Sequence, residues 1–167
     1  MFQIKTAQAP KPLGAIVMDI ATKLKTDFPD LIVQRTLCRP DGFETHDEIQ
    51  FNLLLNKLIP GQDKFVSQDI VNKLLKRIDD KFNNGIASSD KSYFESHGTL
   101  KNISISELKF YQLTVGIDGR QHSAPDKPVY VIKHNSLLIL RDGYHRTLLK
   151  IMTDKNLIDA YVLEMDI

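Results

Sequence analysis

Five consecutive residues, Asp142-Gly143-Tyr144-His145-Arg146, have the types and spacing to grip a phosphate. They follow the apolar run Leu137 to Arg141 and precede an amphipathic stretch reaching about Met152, which places them at a strand-to-helix junction. A glycine there lets backbone approach a ligand closely. The first turn of the helix offers unpaired N–H groups and the positive end of the macrodipole, a ready anion site. Arg146 adds a planar, two-pronged donor for phosphate oxygens, and His145 can donate a hydrogen bond or move a proton near neutral pH. Asp142 can cap the helix, or instead help hold a divalent cation, Mg²⁺ or Mn²⁺, accompanying a nucleotide's phosphates. Asp-Gly is also a common turn, and a His-Arg pair at a helix start is often just a solvated terminus. Local chemistry alone leaves both readings open.

The elements that must hold this turn are legible as two halves. Leu13 to about Lys25 places Ile16, Val17, Ile20 and Leu24 at helical spacing. Thr45-His46-Asp47-Glu48 has the form of a capping box ahead of the apolar stretch Ile49 to Ile59, which Pro60-Gly61 stops. Ser67 can cap a further helix with Ile70, Val71, Leu74, Leu75, Ile78 and Phe82 on one face, and Gly85 sits just past its end. Asn83 to Ser92 is the best linker candidate. From Leu100 the period changes. Leu100 to Ile105 alternates, Leu113 to Ile117 is a short strand candidate, and Gly119 to Pro128 reads as a loop. Val129 to Lys133 and Leu137 to Arg141, separated by His134-Asn135-Ser136, carry a hairpin signal, and Ala160 to Met165 reads as a closing strand.

Composition narrows the field. The chain has 167 residues, 42% hydrophobic and 26% charged, with formal net charge +1. Such a chain buries a proper core without metal or disulfide support. Residues 1–97 carry 13 basic and 13 acidic side chains and residues 98–167 carry 9 and 8, so no basic tail or face visible in the sequence points to a DNA clamp, while a local basic groove assembled by the fold stays open. The one cysteine, Cys38, excludes an internal disulfide and is expected to be a small buried residue. Met1 to Pro12 lacks an apolar run, and Leu13 to Met18 is broken at Asp19, so a cytoplasmic protein is expected.

Beyond local chemistry, residues 105–116 resemble the entry of ParB-like nuclease-type domains, a leucine followed by a Gln-x-x-Val-type strand. Lys127 to Ile132 is similar to their second strand, and Leu137 to Arg146 resembles their strand followed by an Asp-Gly-x-His-Arg signature. The wider superfamily includes sulfiredoxin, ParB nucleotide-binding domains, free serine kinases and nucleases. The resemblance implies that Gly143, Tyr144, His145 and Arg146 hold nucleotide phosphates. It also implies an acidic residue in the place of Glu107 as base, beside His145 and Asp142. Sulfiredoxins carry a catalytic cysteine where this chain has Tyr144, so sulfinic acid reduction is not expected. Partition proteins continue into a helix-turn-helix domain that residues 98–167 do not show, so a partition clamp is not expected either.

Other residues have plainer readings. Glu107 lies three after Ser104 and fits the third position of a capping box. Lys127 either reaches a phosphate or is solvated, and Gln112 reads as structural. His46, Asp47 and Glu48 on a helix would diverge by about 100° each, which disfavours a metal site. His97 and His122 lack ligand-spaced partners, and Tyr93, Phe94, Phe110 and Tyr111 read as core. The expected architecture is therefore α+β, a helical region over 1–97 packed on a small mixed sheet of ParB/sulfiredoxin-like type over 98–167. The expected function is a nucleotide- or nucleic-acid-processing enzyme: a nuclease, nucleotide hydrolase or kinase. The alternative is a non-catalytic nucleotide- or DNA-binding regulator or inhibitor that docks a protein partner through residues 1–97.

Overall fold

In a computed structural model, residues 21–61, 63–82, 90–117 and 127–167 are described. Residues 21–27 are helical (α1), and a 3-10 turn, Pro29–Leu31, leads into strand β1 (Ile32–Arg39). β2 (Gly42–Gln50), α2 (Phe51–Leu58), α3 (Gln68–Phe82) and α4 (Asp90–His97) follow. The second half contributes β3 (Thr99–Ser104), β4 (Leu108–Lys109), β5 (Thr114–Gly116), β6 (Val129–His134), β7 (Leu137–Asp142), α5 (Tyr144–Met152) and β8 (Leu157–Glu164). The fold is mixed helix and sheet, as expected of an α+β protein. The expected helix before residue 21, Gly85 and residues 119–126 of the expected Gly119–Pro128 loop lie outside the described residues, as do residues 83–89 of the supposed linker. Residues 90–92 belong to α4 rather than to a linker.

The first half is not purely helical. β1 and β2 form an antiparallel hairpin paired from Ile32↔Ile49 to Arg39↔Gly42, so Thr45 to Glu48 is strand and not a capping box. The helix does begin next to it, at Phe51, but its N-cap is Gln50 with no side-chain cap bond. The Leu113 carbonyl takes over that role, accepting from the Phe51 N–H at 2.8 Å. A tertiary acceptor thus satisfies first-turn donors that a cap would otherwise have to meet. Cys38 sits exposed on β1, contrary to the expectation of burial. Ser67 does cap α3, its hydroxyl accepting from the Asp69 N–H at 3.2 Å.

Two sheets result. β5 joins the hairpin as β1-β2-β5, with Ile49 opposite Val115. This ladder crosses the expected division at residue 97. The larger sheet has the order β3-β8-β6-β7-β4, in which β6 and β8 run parallel and β6 and β7 antiparallel. Its centre is apolar on both faces, which explains the unbroken runs from Val129 and from Leu137. Val129, Val131, Leu140, Ala160 and Val162 face a core shared with α2, α5 and the small sheet. Tyr130, Ile132, Ile139 and Leu163 face a second core built with Val71, Leu74 and Ile78 of α3 and Phe94 of α4. The apolar stripe of α3 is therefore buried inside the molecule. The β6–β7 hairpin closes through Asn135 (φ 48°) and Ser136 (φ 68°), a two-residue turn whose twist matches its strands. Among the described residues no helix is long and apolar enough to cross a membrane.

The join between α4 and β3 depends on close backbone approach. A Cβ on Gly98 would lie 2.5 Å from the Phe94 carbonyl oxygen and 3.1 Å from that of Val162. Gly98→Ala is expected to destabilise the protein by about 1–3 kcal/mol, the range for overpacking. Urea unfolding monitored by circular dichroism checks this, and an unchanged midpoint would refute it.

Candidate functional site

The five residues singled out by type fall where expected, at the junction of β7 and α5. The chain turns there through Gly143, which adopts φ 108° and serves as the N-cap of α5. Any side chain at 143 is excluded twice, by that left-handed backbone and by Val129, whose Cβ would be 2.8 Å from the added carbon. No side chain caps α5, so Asp142 does not take the capping role. Its carboxylate instead meets the Lys91 ammonium of α4 at 3.2 Å.

Tyr144 is turned into the core. Its hydroxyl accepts from the N–H groups of Tyr111 (2.9 Å) and Gln112 (3.3 Å) and donates to the Leu140 carbonyl at 3.2 Å. The ring makes edge contacts with Phe51 at 5.6 Å, Phe110 at 5.9 Å and Tyr111 at 6.0 Å. Burial pushes its phenol far above the ordinary range. Whatever Tyr144 offers a ligand must come from its backbone. Phe110 and Tyr111 are core or near-core residues, as expected, and Gln112 acts through its backbone in the same anchor.

His145 and Arg146 are both half-buried in the first turn of α5. The Arg146 Nη1 donates to the carbonyls of Lys127 (3.2 Å) and Pro128, which fastens the start of β6 to α5. Its guanidinium also lies 5.9 Å from the centre of the Tyr130 ring. Lys127 is thus brought to the site, with an exposed side chain and a carbonyl bound to Arg146. Glu107 is not. It ends a 3-10 turn just ahead of β4, whose Leu108 pairs with Leu138 near the start of β7, whereas Asp142 ends β7. At about 3.3 Å per strand residue, the two ends lie roughly 16 Å apart. Ser104 is the N-cap of that turn, but its hydroxyl bonds to Ser106 at 2.8 Å rather than capping.

The structure adds residues that sequence reasoning passed over. Tyr130 donates its hydroxyl proton to Glu95 of α4 at 2.7 Å and stacks on Tyr161 with ring centres 6.0 Å apart. Burial, reinforced by the Glu95 carboxylate, pushes the Tyr130 phenol up to about 12. Lys91, Glu95, Asp142 and Arg146 thus bring alternating charges to one end of the sheet. No local motif announces Lys91, Glu95 or Tyr130, because α4 and β6 lie far apart in sequence. Among the described residues, no group of three or more His, Cys, Asp or Glu side chains could hold a metal ion.

His46 and Glu48 also change meaning. On a strand, residues two apart share a face, and His46 Nε2 lies 2.9 Å from Glu48 Oε2. Burial alone would raise the Glu48 carboxyl. Hydrogen bonds with His46 and Thr114, with Arg35 at 3.7 Å, outweigh it and hold the group below its ordinary value. Compared with family models, curated proteins and solved structures, the chain matches none.

Two outcomes follow from these contacts. Tyr144→Phe leaves two part-buried N–H donors without their acceptor, and a loss of about 1 kcal/mol or more is expected in urea unfolding; a loss under about 0.5 kcal/mol would contradict the anchor. In an ultraviolet titration, Tyr130 should ionise near 12, and in Glu95→Gln it should ionise lower while staying above 10, because burial is the larger cause. Because the folded pKa is raised, this group's contribution is complete below the unfolded value and fades as pH rises toward 12.

Proposed function

We propose that the protein binds a phosphate-bearing ligand, a nucleotide or nucleic acid, at the β7–α5 turn, in the manner of the ParB/sulfiredoxin-like superfamily that its motif resembles. One observation carries the reading. The N-cap of α5 is a left-handed glycine with no side-chain cap bond, so the first-turn N–H groups are not met by a capping side chain. Donors in that arrangement, at the positive end of a helix, favour an anion. Arg146, Lys127 and Lys91 add positive charge around the same turn. The order of β6, β7, α5 and β8 supports the resemblance, since it puts the motif between strand and helix.

Binding rather than turnover is the reading the side chains favour. A nuclease, hydrolase or kinase of the expected kind would use His145 with Asp142 and Glu107. Asp142 is paired with Lys91, and Glu107 lies at the other end of β7. Nucleotide or DNA held without conversion suits a regulatory or inhibitory protein. Its partner surface within residues 1–97 would be the solvent-facing side of α3 and α4, whose apolar residues are internal.

Calorimetric titration with nucleoside di- and triphosphates and with short single-stranded and duplex DNA tests this, with Mg²⁺ and Mn²⁺ present. Loss of a charge-assisted hydrogen bond, about 1.5–3 kcal/mol, should weaken binding by Arg146→Ala roughly ten- to a hundredfold. Circular dichroism verifies that the variant is folded, and the milder Lys127→Ala should weaken the same ligand less. Equal affinity in wild type and folded Arg146→Ala would sink the proposal. Steady product formation abolished by His145→Ala would replace it with the catalytic reading.

A further inference from the structure

The face of the large sheet that carries α5 is open at the opposite end, where β6 turns into β7. A cleft of about 540 Å³ lies there, lined by Lys101 of β3, Lys133 of β6, Lys109 of β4 and Glu107, with Leu138 and Val162 as apolar surface. Its size falls within the range of small-molecule sites, about 300–1,000 Å³. The Lys109 ammonium donates to the Asp63 carbonyl at 3.0 Å, which leaves two of its three protons for another acceptor. Among the described residues, none of the three ammonium groups lies within ion-pairing distance of a carboxylate. Three lysines and one glutamate thus share a cleft in a chain whose formal net charge is only +1. A net positive lining around such a recess concentrates anions.

The spacing of the lysines selects among anions. In the order β3-β8-β6-β7-β4, each lysine strand is two steps from the next. At about 4.8 Å per step, β3 and β6 are roughly 10 Å apart, and the register sets Lys101, level with Val129, four residues or about 13 Å along the strands from Lys133. A single carboxylate or phosphate cannot meet all three ammonium groups, so the matching ligand carries charge at several points along its length. No aromatic ring lines the cleft among the described residues, whereas single-stranded nucleic acid is usually held on aromatic platforms.

We propose that this cleft is a second anion site, separate from the β7–α5 turn, and that it takes a small polyphosphate of the nucleoside di- or triphosphate class. The phosphates bridge Lys133 and Lys109, whose strands are two steps or roughly 10 Å apart, and the nucleoside rests against Val162 on the Lys101 side. Glu107, which the family resemblance placed with His145, is here the wall of another site. Its negative charge opposes the phosphates and moderates affinity.

Titration of the isotope-labelled full chain, followed by amide resonances, tests this with ATP, inorganic tripolyphosphate, adenosine and oligothymidylate. ATP is expected to shift the Lys133, Leu138 and Val162 amides saturably, tripolyphosphate to do so more weakly, and adenosine not at all. Lys101→Ala/Lys133→Ala should weaken ATP at least tenfold, Glu107→Gln should tighten it severalfold, and Arg146→Ala should leave these shifts unchanged. Shifts confined to residues 142–147 would overturn the proposal while leaving the turn as a phosphate site. Tighter binding of oligothymidylate than of ATP at these amides would overturn it in favour of a nucleic-acid groove. Shifts that never saturate would overturn it in favour of diffuse counterion attraction.

Discussion

The arrangement depends on one crossing. β8 lies beside β6 and parallel to it, while β7, which intervenes in sequence, lies on the other side of β6. The chain leaving β7 must therefore pass over β6, and α5 is the segment that does so. Its buried side chains, Tyr144 and Leu148 among them, join the core on that face. The start of α5 is then fixed at the end of β7, and little room remains for the turn between them. Gly143 meets that demand with a left-handed backbone pressed against Val129. A close turn and a helix start follow from topology before any ligand is considered.

Tyr144 converts this crossing into a rigid junction. Its hydroxyl ties α5 to the backbone at Tyr111 and Gln112, while its ring packs on Phe51 of α2 and on Phe110. Leu113, one residue further on, supplies the carbonyl that caps α2. Residues 110–113 thus connect α5, α2 and β5, and through β5 the small sheet. The Arg146 bonds to the Lys127 and Pro128 carbonyls fix the other flank. Side chains so engaged hold the first turn of α5 in place. They are less able to act as mobile acids or bases.

Legibility in the sequence followed the range of the interactions. The β6–β7 hairpin, α3 and the β7–α5 junction were readable because runs of apolar residues, a capping serine and an Asp-Gly turn act locally. Thr45 to Glu48 misled because the same residues satisfy a capping-box pattern and a strand alternation. β1 decided it by offering a continuous ladder. Reading those residues as helix also hid the His46–Glu48 contact, since period two puts them side by side and period 3.6 does not. Cys38 was expected inside because free cysteine usually is; on β1, its exposure is set by the sheet position and not by residue type.

The same distinction separates the two charged regions. At the β7–α5 turn the candidates are adjacent in sequence, so residue types alone could nominate them, and only the geometry could show how many are already engaged. At the lysine cleft the residues come from β3, β4 and β6, positions 101, 109 and 133, and nothing local links them. They become neighbours only because the sheet order interleaves early and late strands. A lysine on a sheet strand reads in sequence as a solvated position, and each of these does so singly. What gives them a shared electrostatic effect is the absence of carboxylate partners at ion-pairing distance among the described residues, in a protein whose charges otherwise nearly balance. Interactions that act singly along a chain can be read from it, but a field summed across five strands requires the fold.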